Sequence, residues 1–295
     1  ETVELIMTNM LVTFRNRVLA IPSKIAPQII GLKNISKIND LIDDLEGQDN
    51  LIKKLEDLSI QAETPEREFW RPNKEEDPYN AFLFKCDIKE KESGVLEGMT
   101  IAVKDNITVA GLPMTCGSPI LEDYIAIEDA TVVKKILHEG GNIIGKANMD
   151  EFAFGGEEST MRFKLARNPW DPDRQPNGSS AGSGVAVADG SVDAALGTDT
   201  GGSVRFPAAW CGVVGIKPTR GLVSHDGFFQ FSKILDNIGV LARTTRDTAK
   251  VLQVMAGEDQ KDERTLGIEV KDYVGAVEKG TDIQNLDITI GVPKE

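Results

Sequence analysis

The chain has 295 residues, 40% of them apolar and 27% charged, a globular mixture that excludes low-complexity and disordered architectures. Its net charge of −14, with no basic cluster beyond the isolated pairs Lys53-Lys54 and Lys134-Lys135, argues against nucleic acid or anionic lipid as a direct partner. No apolar run reaches the ~18–20 residues that span a bilayer, and the three cysteines are too scattered for a disulfide framework or a metal set; a cytoplasmic protein without a membrane anchor is the expectation.

Residues 1–65 read as helical and polar. Between Ile38 and Ile60 apolar residues recur mostly three or four apart, which predicts one apolar helix face or a broken helix pair. We read it as a helix on its own core; the alternative is an oligomerisation arm, compatible with a homodimer. Residues 63–80, with Pro65, Pro72 and Pro78 among many charges, read as an extended linker, and the stretch to Gly98 as mixed and turn-rich. Thr100–Lys104 is a β-branched strand candidate. Asp129–His138 has helical periodicity and is stopped by Gly140-Gly141. Asn142–Gly145 reads as a short buried strand, residues 180–189 as helix-compatible, Val192–Leu196 as a helix end or strand, and Val213–Ile216 as a strand. A helix over Thr245–Ala256 follows, and Ile288–Glu295 looks like a strand just begun, so the core is expected to be incomplete at its C-terminus. Short strands alternating with helices predict an α/β fold with a largely buried sheet. The expected domains are a helical segment over 1–70 and the α/β core over 71–295.

Gly140–Ala147 nearly matches a phosphate-binding loop, but Ala147 stands where that loop needs Ser or Thr, and a helix precedes it where a strand is required. The dense region is 177–221, where Gly and Ser concentrate in Asn177–Ser183 and Gly197–Ser203. Such loops let backbone N–H groups converge, so Thr200-Gly-Gly-Ser203 can aim several at an oxyanion beside a hydroxyl. A serine nucleophile needs a base. There are only two histidines: His138 belongs to a helix pattern, and His225 follows a turn and is either structural or substrate-facing. Lys104, ending an apolar strand, is the other base on offer, because an apolar setting depresses a lysine pKa. The residues alone leave acyl transfer as one hypothesis beside ordinary turns and a surface lysine.

Several stretches together resemble the amidase signature family: VKDN at 103–106, NGSSAGS at 177–183, GTDTGGSVRFPAAWCGVVGIKPT at 197–219 and LDNIGVLART at 235–244. The separations of Lys104, Ser179 and Ser203 fit as well, and the match covers the N-terminal half to two-thirds of a typical member. The resemblance implies the amidase-signature α/β fold, a mixed central sheet covered by helices. It implies Ser203 as nucleophile, Ser179 in a cis peptide as proton relay, Lys104 as neutral base, and the backbone N–H groups of Thr200, Gly201, Gly202 and Ser203 as oxyanion hole. No cofactor or metal is called for. Asp199 and Arg205 are expected to support the loop, and Cys211 to be core; nothing around Cys86, Cys116 or Cys211 supports a cysteine nucleophile. Two departures are Asn177 where the family has Gly, and Ala181 for another Gly.

Pro78–Phe82, Ile107–Met114 and Gly221–Gly227 resemble stand-alone amidases acting on small amides, while Asn148–Phe152 and Arg167–Trp170 are more like the glutaminase component of the glutamyl-tRNA amidotransferase. The expectation is a stand-alone amide hydrolase with a small-molecule substrate. The alternatives are a non-catalytic scaffold and the amidotransferase glutaminase; a second C-terminal piece of the fold is a further expected partner.

Overall fold

A computed structural model describes residues 64–155 and 159–280. The helix expected between Ile38 and Ile60 and the strand expected from Ile288 lie outside the described residues. The described strands are β1 (Phe69–Trp70), β2 (Phe82–Ile88), β3 (Thr100–Lys104), β4 (Asn142–Ala147), β5 (Ala194–Asp199), β6 (Val214–Ile216) and β7 (Asn237–Ala242). They form one mixed sheet in the order β1-β2-β4-β3-β5-β7-β6. The helices are α1 (Thr131–His138), α2 (Ala181–Ala188), α3 (Arg205–Cys211), α4 (Thr245–Met255) and α5 (Tyr273–Lys279). No described helix is long and apolar enough to cross a membrane.

β3 runs parallel to both β4 and β5, and the other pairings are antiparallel. Parallel neighbours need crossovers, and these carry α1 and α2. The carboxyl ends of β3 and β5 therefore share one edge, where α/β sheets bind ligands. Lys104 and Asp199 are the last residues of those two strands.

Strand alternation divides the core into two layers. Ile101, Val103, Leu196, Ile238 and Val240 meet Val132, Ile136 and Leu137 of α1 and Val251, Leu252 and Met255 of α4. Ala102, Ala195 and Leu241 face the other way, towards Ala181, Val185 and Ala186 of α2 and Ala208 and Cys211 of α3. The second layer is made of small side chains, so α2 lies close to the sheet. Lys104 shares the face of Ala102 by the same alternation, and so points towards the start of α2.

Five elements escape the sequence reading: β1, β2, β7, α3 and α5. The 63–80 stretch, read as a linker, is laid on the core from its first described residues. Arg67 makes a bidentate pair with Asp129, at 2.7 and 3.0 Å, and β1 pairs with β2. Of the segment at Val192–Leu196, Ala194–Leu196 open β5. Lys146, which fills the lysine position of the near-match to a phosphate loop, is fully buried and lies 3.4 Å from Asp105. All three thiols are buried, and burial pushes Cys86 and Cys211 up to about 12.

Gly182 marks the tightest approach of α2. A Cβ there would lie 2.2 Å from the Ala81 carbonyl oxygen and 2.4 Å from Asn148 N, both main-chain atoms that cannot swing aside. Gly182→Ala is expected to lower stability by about 2–3 kcal/mol, as overpacking does; urea unfolding of the variant against wild type measures it.

Candidate active site

Lys104 is fully buried. Its Nζ lies 2.8 Å from Ser179 Oγ, and it donates to Thr198 Oγ1 at 2.9 Å. Asn106 Nδ2 donates to the same Thr198 Oγ1 at 3.1 Å and to the Phe229 carbonyl at 3.3 Å, so one hydroxyl joins the end of β3 to that of β5.

Ser179 follows a cis peptide bond from Gly178. Asn177, which stands where the family pattern has glycine, has φ 61°, a left-handed conformation that Asn tolerates better than most residues. Ala181, the second departure, opens α2 fully buried, where no positive φ is required. Both substitutions thus suit their places. The Ser180 hydroxyl donates to the Thr198 carbonyl at 3.2 Å and accepts from Thr198 N–H at 3.3 Å. Ser180 N–H donates to the Ser203 carbonyl at 3.1 Å, which brings the 200–203 turn against the serine pair.

Asp199 builds that turn. Its carboxylate accepts from the N–H groups of Gly202 at 2.8 Å and Val204 at 3.1 Å, and from Arg205 Nε and Nη2 at 3.0 and 2.9 Å. Burial alone would raise the Asp199 carboxyl, but the Arg205 guanidinium and these N–H groups hold it below the usual carboxylate range. Asp199 and Arg205 support the loop, as expected. Gly202 N–H is committed to Asp199; those of Thr200, Gly201 and Ser203 donate to no acceptor among the described residues. Asp236 ties a second loop to the turn: it accepts from Thr200 Oγ1 at 2.5 Å and from the N–H groups of Phe231 and Ser232 at 2.6 and 2.8 Å.

Burial pulls the Lys104 amine down to about 7, opposed by the charges of Asp150, Asp199 and Asp236. Near neutrality this amine exists in both protonation states, the condition for a general base that must also return its proton.

Lys104 and Ser179 are therefore in direct contact, Ser203 joins them through Ser180, and Thr200, Gly201 and Gly202 form the turn between Asp199 and Ser203. His138 sits on α1, and His225 is buried elsewhere, beside the Arg264 guanidinium and with its N–H on Asp262; burial and Arg264 lower its pKa to about 4. The sequence reading missed Thr198, Asn106, Asp150 and Asp236. Thr198 and Asn106 lay inside motifs already quoted, and their polarity at a strand end was the available signal.

The model of the Amidase family matches residues 81–295. The chain is 49% identical over 218 residues to the A component (GatA-type chain) of glutamyl-tRNA(Gln) amidotransferase from Halobacterium salinarum, covering 73% of this chain and 50% of that protein. Among solved structures, the corresponding component of the same enzyme from Thermotoga maritima superposes with a TM-score of 0.62 at 47% identity, over 65% of this chain and 43% of that one. Peptide amidase from Stenotrophomonas maltophilia gives a TM-score of 0.58 at 40% identity, over 62% and 39%. The chain spans about half the length of the curated relatives it matches, or somewhat less.

The depressed Lys104 pKa has a stability consequence with a definite sign. An unfolded lysine titrates near ~10.4, so between about pH 7 and pH 10 the unfolded chain holds more protons than the native one and stability rises with pH. The contribution of Lys104 is fully present above its unfolded pKa and is lost as pH falls through the folded one. Lys104→Met removes this dependence. The stability of wild type minus that of the variant is expected to climb by about 1.4 kcal/mol per pH unit across that window, read by urea unfolding at stepped pH.

Proposed function

The chain belongs to the amidase family, and we propose that this amidase-signature hydrolase cleaves a primary carboxamide through an acyl-enzyme on Ser203. The observation that carries the proposal is the 2.8 Å approach of a fully buried lysine amine to Ser179 Oγ. In the neutral state Lys104 Nζ offers a lone pair to the Ser179 hydroxyl proton. Ser203 Oγ attacks the amide carbon; its proton passes to Ser179 Oγ as the Ser179 proton passes to Lys104. The N–H groups of Thr200, Gly201 and Ser203 face the oxyanion, and Gly202 holds the turn by its bond to Asp199. As the tetrahedral centre collapses, the proton returns through Ser179 to the departing nitrogen, and ammonia leaves. Water then attacks the ester by the same relay, and the carboxylic acid is released with Ser203 restored.

For the substrate, the curated relatives are named as the A component of an amidotransferase acting on glutamyl-tRNA(Gln), which supports the glutaminase reading of the resemblance: the glutamine side-chain amide, with ammonia handed to partner subunits. This moves the glutaminase reading ahead of the stand-alone amidase that the sequence favoured. The likeness to peptide amidase keeps hydrolysis of other carboxamides as the second reading. Of the division into a helical segment over 1–70 and an amidase core over 71–295, we retain the core and extend it to include Phe69–Trp70, which pair with β2.

The test is ammonia release from glutamine, acetamide and benzamide by the full-length product of this gene. Turnover of glutamine, increased by added partner subunits and reduced about 10⁴-fold or more in Ser203→Ala, is the expected result. Turnover of the simple amides alone would establish the stand-alone amidase. Ammonia from none of them, with no labelling of Ser203 by a fluorophosphonate, would establish the non-catalytic scaffold.

A further inference from the structure

Next to Ser179 stands a carboxylate that the proton relay does not use. Asp150 lies just beyond β4 and is 2% exposed. Its N–H donates to the Ser179 carbonyl at 3.2 Å. Its Oδ1 accepts from Ser159 Oγ at 3.0 Å and from Thr160 N–H at 2.8 Å. Its Oδ2 lies against Gly178, where a Cβ would come within 1.8 Å of it. One residue thus holds Ser179 through its main chain and lays its carboxylate against the space a side chain at Gly178 would fill. Any side chain at position 178 would displace it, so the glycine there is required by Asp150.

The charge of Asp150 has a different setting from that of its neighbours. Around Lys104, Asp199 arrives from the end of β5, Asp236 from the loop before β7, and Cys116 from the loop after β3. Asp199 is paired with Arg205. Asp236 is satisfied by one hydroxyl and two N–H groups. Asp105, next to Lys104 in the chain, is paired with Lys146. Asp150 has no cationic partner among the described residues; Arg167, Asp173 and Arg174 line the pocket that also contains it, and none forms an ion pair with it. Of the charged groups that favour protonated Lys104, Asp150 has the largest influence.

We infer that Asp150 is a positioning residue that holds the Gly178–Ser179 segment against Lys104 and compensates the ammonium formed there each time Ser203 is acylated. A fixed anion in a dry site stabilises a charge that appears only during the reaction, without reorganisation at that moment. The inference rests on the reading of Ser203, Ser179 and Lys104 given above.

The test is the pH dependence of Ser203 labelling by a fluorophosphonate, between about pH 5 and pH 9, in the full chain as wild type, Asp150→Asn, Asp150→Glu and Ser203→Ala. Removing the negative charge favours neutral Lys104, so in Asp150→Asn the acid limb is expected to move down by about one pH unit. Asp150→Glu keeps the charge and is expected to keep the wild-type midpoint even if its rate falls. An unchanged midpoint in a folded Asp150→Asn overturns the inference, as does an effect confined to a raised KM for glutamine, which would make Asp150 a substrate contact. If Asp150→Asn does not fold, the glutamate variant decides: a midpoint displaced from wild type overturns the inference, and a retained one supports it. Wild type that is not labelled at Ser203 would instead overturn the underlying reading, and is told apart by that.

Discussion

An amine fully buried at the end of a strand sets the terms for everything around Lys104. An ammonium moved from water into a protein interior costs several kcal/mol unless its surroundings compensate it. An amine left entirely to an apolar setting would stay neutral and return no proton. The site lies between these limits. Burial pulls the group down, three carboxylates pull it back, and the balance falls near neutrality. Ser179 and Thr198 take up its hydrogen-bonding directions, and Thr198 is in turn held by Asn106.

That arrangement dictates the packing behind it. Lys104 meets Ser179 only if the start of α2 comes down close to the sheet, so the layer between them is built from Ala102, Ala195, Ala181 and Ala186. Gly197 belongs to the same requirement, since a Cβ there would sit 2.7 Å from Ser180 Oγ. The opposite face of the sheet has no such demand and carries the large aliphatic residues of the core. The two faces therefore divide the labour: one supplies cohesion, the other proximity. Asp199 plays the matching part for the 200–203 turn, where one carboxylate collects main-chain N–H groups and a guanidinium and leaves the loop little freedom.

What could be read from the residues follows the strength of local signals. β3, α1 and α4 show clean periodicity and stand where the sequence put them. β2 was missed because Lys85 and Asp87 interrupt FLFKCDI, although the strand is mostly buried. β7 was missed because NIGVLA is short and carries Gly239, which is required where the Ile216 carbonyl passes close by. α3 hides behind Pro207, tolerated in the first turn of a seven-residue helix. In the site, Lys104, Ser179 and Ser203 were legible through the resemblance of VKDN, NGSSAGS and GTDTGGS to a known family's motifs; the residues alone offered a lysine at a strand end and two Ser-rich loops. Asp150, Thr198 and Asp236 act through where the fold places them, and an aspartate after a strand looks like any surface acid until its neighbours are known. Substrate preference was the least legible feature, since segments resembling stand-alone amidases and segments resembling the glutaminase component stand side by side in one chain.

The long reach of the Lys104 contacts has a consequence for synthesis of the chain. Ser179 and Thr198 follow the lysine by 75 and 94 residues. At translation rates of ~5–20 residues per second, the lysine emerges seconds before either partner exists. During that interval it is a solvated amine of ordinary basicity, on a segment whose parallel neighbour β5 has not been made. The lowered basicity of the amine is thus a property of the closed sheet, absent from the nascent chain. The contacts of the buried amine are completed as a late event of folding, when the last of three distant strand and helix ends arrives.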